Sequence, residues 1–189
     1  MKRLLMLVIG CCFLVNMNVN AQVEYKPFRV DLGFGVCFTL PETTSYGRVL
    51  NTLGIMLYLE PKYAIIPQLS VGFKSEANVI WRNFYFKNYM VMQGINSYQI
   101  TADYHLMQKT LRPFVGVGLG IYRIEVEPKK IIVENSKDNF GVMFRTGFDI
   151  IHFRLMLAYN LAGKDKLKNN ADFVSVTICT YFGGGKKKN

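Results

Sequence analysis

The chain has 189 residues, half of them hydrophobic, and a formal net charge of +10. That length allows one domain of ordinary size. Past the N-terminus no stretch approaches the roughly eighteen consecutive apolar residues of a membrane helix, so a helical membrane protein is excluded.

The chain begins like an exported protein. Lys2-Arg3 forms a positive start, Leu4 to Val19 is mostly apolar, and Val19-Asn20-Ala21 places a small residue before Gln22. This predicts a signal peptide over residues 1–21, cleaved after Ala21. Val8-Ile9-Gly10-Cys11 also has the look of a lipoprotein box. Its apolar region would be only about six residues long, though, and the apolar run continues past Cys11. Cleavage removes Lys2 and Arg3 and leaves 21 Lys/Arg against 13 Asp/Glu. Such a basic balance could fit nucleic acid; export points instead to acidic lipid headgroups or surface polysaccharide phosphates.

The mature chain runs on a two-residue rhythm. From Phe28 to Leu40 every even position is apolar, while the odd positions are Arg29, Asp31, Gly33, Gly35, Cys37 and Thr39. Strict alternation marks a strand whose two faces meet different media. A second strand is predicted over Leu53 to Ile66, with Glu60 and Lys62 on its polar face and a bulge or break at Pro61. The third covers Leu69 to Val79 and carries Lys74 and Glu76 opposite its apolar face. The fourth covers Ser97 to Met107, with Asp103 and His105 on the polar side. The fifth runs from Pro113 to Val126, alternating cleanly to Tyr122 and losing its phase beyond. The sixth is Phe140 to Ile150 with Arg145 and Asp149, the seventh Phe153 to Leu161 with Arg154, and the eighth Asp172 to Phe182.

Connections alternate in length. Those near 67–68, 108–112 and 150–152 are short, whereas those near 41–52, 80–96, 127–139 and 162–171 are long. About ten residues per strand, rising about 3.3 Å each and tilted by about 40°, cross roughly 25 Å, the height of an apolar membrane band. The fold class is therefore all-β, an eight-stranded antiparallel up-and-down transmembrane β-barrel, with both termini periplasmic. A soluble barrel with an apolar interior alternates too. Against it, the polar face is rich in glycine (Gly33, Gly35, Gly72, Gly116, Gly118, Gly120, Gly141, Gly147), which suits a crowded interior better than a solvated surface. The expected organisation is a signal peptide at 1–21, a barrel at 22–182 and a basic periplasmic tail at 183–189.

Several segments carry a family likeness: the leader ending Asn20-Ala21-Gln22, the opening Gly33-Phe34-Gly35, the run Arg112-Pro113-Phe114-Val115-Gly116-Val117-Gly118-Leu119-Gly120, and the closing strand Phe173 to Phe182. On these the chain resembles the small outer-membrane β-barrel family of Gram-negative bacteria, the OmpA/OmpX-like and "porin family" barrels. The likeness covers nearly all of the mature chain and is specific for architecture. It implies a cell outer membrane location. One departure is the tail Gly183 to Asn189, since family members often stop at the terminal aromatic that the assembly machinery reads.

The polar face supplies the candidate site. Arg29, Lys62, Lys74, Arg145 and Arg154 stand against Asp31, Glu60, Glu76, Asp103 and Asp149, five of each sign. An eight-stranded barrel has room inside only for its own side chains, so buried charges must pair. Equal numbers predict a closed, salt-bridged lumen; a conduit whose pairs exchange partners is the alternative. Cys37 and Cys179 fall on the first and last strands at opposite heights and are expected to stay unpaired thiols. His105 has Asp103 two positions away on its own face, but no serine stands at a recognisable spacing for nucleophilic catalysis. Two histidines and two scattered cysteines make no metal cluster, and no cofactor is expected. A loop containing Trp81, Arg82, Phe84, Tyr85, Phe86 and Lys87 mixes aromatics with cations. It reads as an interfacial girdle or as a patch for anionic glycans. The expected protein is a non-enzymatic outer-membrane barrel with a structural or surface-interaction role. The alternatives are a narrow channel or transporter for small solutes, or an accessory barrel of a secretion or envelope-assembly machine. Its partners are outer-membrane lipids, with surface glycans or other envelope proteins as further candidates.

Overall fold

The computed structural model describes residues 26–39, 43–44, 47–84, 89–107, 110–126, 136–164 and 170–184. The signal-peptide and tail expectations lie outside them, apart from Gly183 and Gly184. The strands are β1 (Phe28–Thr39), the two-residue β2 (Thr43–Thr44), β3 (Gly47–Ile66), β4 (Leu69–Phe84), β5 (Tyr89–His105), β6 (Leu111–Val126), β7 (Ser136–Ile150), β8 (Phe153–Leu161) and β9 (Phe173–Gly183). All neighbours pair antiparallel, and β1 pairs with both β9 and β3, which closes eight long strands into a barrel. Among the described residues no helix is long and apolar enough to cross a membrane.

The alternation separates two media as expected, with apolar residues outside. Ile100 and Phe140 are 70% and 73% exposed, while Asp31 and Arg154 on the other face are 0% and 1% exposed. This excludes the soluble barrel with its apolar lumen. A belt of exposed Phe, Leu, Ile and Val, satisfied in its backbone by closed ladders, is the wall of a transmembrane barrel.

One end, here the turn end, carries the first described residues, Gly184, and the tight connections Pro67-Gln68 and Ile151-His152. Ile151 adopts φ 56°, a left-handed conformation costly for a β-branched residue. The turn is tied down from β9: the Tyr181 hydroxyl donates to the Ile151 carbonyl at 2.5 Å, and the Tyr181 amide donates to the His152 carbonyl at 3.0 Å.

One expectation holds in part and one needs correction. Pro61 brings the break in the ladder to β4 but no bulge. Val30 pairs with Pro61 in unbroken register, and on the other side the register is the same at Leu59–Ser75 and Lys62–Gly72. The missing N–H interrupts the ladder without shifting it; the actual irregularities lie between Leu50 and Leu53 and between Ala64 and Ile66. The loops opposite the turn end are also shorter than expected, because β3, β4, β5 and β7 continue several residues past the apolar belt. Trp81, Arg82 and Phe84 therefore belong to strand β4, paired with β5, instead of to a loop. Tyr85, Phe86 and Lys87 lie outside the described residues. Pairing propagates beyond the belt through Gly94 of β5 and past the irregularity between Leu50 and Leu53 of β3.

Candidate functional site

The lumen is filled in two layers. All ten charged residues expected inside are there, none more than 7% exposed. They fall into two separately neutral groups. Eight form one network in the turn-end half: Arg29, Lys62, Arg145 and Arg154 with Asp31, Glu60, Asp103 and Asp149.

Each cation of the network bridges carboxylates from different strands. Arg145 grips Glu60 through two nitrogens at 2.9 and 2.7 Å and gives its Nε to Asp103 at 2.7 Å. Lys62 Nζ lies 2.8 Å from Asp103, 2.9 Å from Asp31 and 3.2 Å from Glu60. Arg154 donates to Asp149 at 2.6 Å and to Asp103 at 2.8 Å, with its guanidinium 3.9 Å above the Phe114 ring. Arg29 reaches Asp149 at 2.8 Å and Asp31 at 3.1 Å, and stacks over Tyr181. Thr101 donates to Glu60 at 2.5 Å. Planar guanidiniums with several fixed donors suit such multidentate bridging better than ammonium groups.

The second group is the pair Lys74–Glu76, higher in the lumen. Asn78 donates to Glu76 at 2.8 Å, and the Lys74 ammonium sits 4.8 Å from the Tyr58 ring centre. Glycines make room for these large groups. The Tyr58 ring lies where a Gly33 side chain would begin, and the Tyr122 ring does the same at Gly141.

Above this the lumen turns apolar. Cys37, Ile80, Ile95, Tyr122, Ile124, Ala162, Ala171 and Phe173 form one buried cluster at the loop end. The chain after β8 folds against it: Asn139 Nδ2 donates to the Ala162 and Lys164 carbonyls, and the Ala171 amide donates to the Gly163 carbonyl. Outside this level the wall becomes polar, with Arg123 and Asp138 paired in solvent at 2.9 Å. The alternation of β6 never breaks there; Tyr122 and Ile124 still point inward while Arg123 and Glu125 point outward. Only the chemistry of the faces inverts. Sequence reading saw this as lost phase and missed the plug.

His105 joins the ion network. Its Nε2 bonds Asp149 at 3.0 Å, while Asp103 is held by Lys62, Arg145 and Arg154. Ser70 stands nearby on β4, but its hydroxyl has no hydrogen-bond partner, so no serine–histidine–carboxylate relay is formed. Cys37 and Cys179 are both free and buried. Cys37 lies opposite Ser175 and Cys179 opposite Gly33, four residues apart along β9. Among the described residues no group of three or more His, Cys, Asp or Glu is placed to hold a metal.

No family model matches the chain, and no curated relative does. Solved structures do. The crystal structure of Neisserial surface protein A superposes with a TM-score of 0.62 at 16% identity, covering 85% of this chain and 99% of that one. The outer membrane protein OprG from Pseudomonas aeruginosa gives 0.49 at 11% identity, over 84% and 97%. The outer membrane enzyme PagL gives 0.45 at 12% identity, over 82% and 99%. At such identities the first of these likenesses establishes a shared fold: an eight-stranded antiparallel barrel of the outer-membrane type.

Proposed function

We propose that this protein spans a Gram-negative outer membrane as a sealed, non-enzymatic barrel, with its turn end in the periplasm and its loop end outside. Its role is structural or exerted at the loop-end surface. The observation that carries the reading is the doubly closed lumen. A network with four charges of each sign fills the lower half, and a buried, mainly apolar cluster with Gln93 beside it fills the upper. A ring of one sign would favour a selective pore, and a wetted column would favour conduction; paired charges beneath an apolar plug favour neither. The loop-end contact surface then includes the segment containing Trp81, Arg82, Phe84, Tyr85, Phe86 and Lys87, whose cations and rings suit lipid headgroups or anionic surface glycans. Planar-bilayer recording tests the reading. The purified barrel should show no discrete openings, and openings that disappear on Arg145→Gln or Arg154→Gln would overturn the sealed network. Hydrolysis of lipid A that is lost in His105→Ala would overturn the non-enzymatic part.

A narrow conduit is the second reading. In its favour, Tyr58 Oη, Gln99 Oε1, Ser175 Oγ and Thr177 Oγ1 are buried mid-lumen without protein partners. A polar column of this kind is where waters would sit between the network and the plug.

A further inference from the structure

At the turn end, the lumen opens into a small basin that the sealed-barrel reading does not use. Lys26, Arg29, Lys62, His105 and Arg112 line it, and no described lining residue is a carboxylate. Arg29, Lys62 and His105 are each more than nine-tenths buried. So is Ser70 on the same wall, whose hydroxyl has no hydrogen-bond partner. The acids of the network lie beneath the lining and are engaged with the cations already described. The accessible room is about 30 Å³ and open at the mouth, space for about two waters, or for the inner oxygens of an oxyanion whose remainder stays at the mouth.

We propose that this basin binds a phosphate group. Its donors converge from different strands, Arg29 from β1 and Ser70 from β4, with the Lys62 charge on β3 behind them and the His105 ring of β5 in the wall. Arg29 keeps guanidinium N–H groups beyond its contacts with Asp149 and Asp31, and His105, which gives its Nε2–H to the Asp149 carboxylate, presents Nδ1 as an acceptor for the P–O–H of a monoprotonated phosphate. A tetrahedral oxyanion presents acceptors in all these directions, whereas a planar carboxylate presents two oxygens in one plane. Guanidinium and hydroxyl donors around an anion make charge-assisted bonds, the stronger class. The basin lies at the mouth of the barrel, so the phosphate belongs either to a soluble ester or to a lipid headgroup reaching over the rim at Pro67.

Calorimetric titration of inorganic phosphate into the folded barrel, in zwitterionic detergent at low salt, tests this. Millimolar or tighter binding is expected. Ser70→Asp should weaken it at least about tenfold, because the new carboxylate occupies the basin, while the heat-modifiable migration of a folded barrel is retained. Lys26→Gln, an exposed position outside the ion network, should weaken binding a few-fold and keeps the test alive if Ser70→Asp does not fold. Competition by phosphatidylglycerol vesicles but not by glycerol phosphate assigns the lipid source, and the reverse assigns the soluble one. No binding by the parent protein, or equal binding by both variants, overturns the proposal.

Discussion

The two halves of the lumen solve one packing problem in opposite ways. In the turn-end half the outside is hydrocarbon-like and the inside is ionic; in the loop-end half the outside carries Arg123, Glu125 and Asp138 and the inside is Ile, Tyr and Phe. The first half is an inside-out protein, the second resembles an ordinary soluble barrel with a mainly apolar core. On β6 the change falls between Ile121 and Tyr122, with no break in strand geometry. The lesson is that the outer medium, not the fold, dictates what fills the tube. Within a membrane the polar residues have nowhere else to go, and they must then match one another. Above the membrane the hydrophobic effect takes over again.

The halves should respond differently to damage. The ionic half fails all at once, because taking away one partner leaves an unmatched buried charge. Arg154→Met strips Asp149 and Asp103 of their shared cation. It should lower stability by about 3–5 kcal/mol, read as a fall in the urea midpoint of refolded protein in detergent. The apolar half should fail by degrees. Ile124→Ala, at a site 1% exposed, removes transfer free energy and leaves a cavity, a loss of about 2–4 kcal/mol that Ile124→Val should reduce to about 1. An Ile124→Val loss as large as that of Ile124→Ala would break the comparison, since the plug would then be as intolerant as the network.

The sequence made one half far more legible than the other. Alternation works where the faces differ in chemistry, so the bounds of β1, β6, β8 and β9 could be read to within about two residues. All ten lumen charges could be assigned to the interior by parity alone. Their grouping could not, because pairs such as Arg145–Glu60 join strands 85 residues apart in sequence. The His105–Asp149 bond was hidden for the same reason, while the nearer Asp103 drew attention. The plug was missed because its residues keep parity but reverse polarity: Ile80, Ile95 and Ile124 are apolar at inward positions. A change of hydrophobic phase without a turn residue was the signal, and it marks where a strand leaves the membrane.

The smallest effect is also the sharpest test of why charges fill the lower lumen. Lys74 and Glu76 form a neutral pair apart from the main network, with Asn78 donating to the carboxylate and Met143 beside the ammonium. Lys74→Met alone leaves a buried carboxylate with only an amide for company, and should cost several kcal/mol. Lys74→Met with Glu76→Gln removes both charges, keeps an acceptor for Asn78 and preserves volume beneath the Tyr58 ring. Buried ion pairs replaced by well-packed neutral groups are often no less stable. The double variant should therefore unfold within about 1 kcal/mol of the parent, measured by the same urea titration. A double variant as weak as the single one would mean that the lumen requires charge for itself, and that the contrast between the halves reflects more than matching what the membrane leaves no other place for.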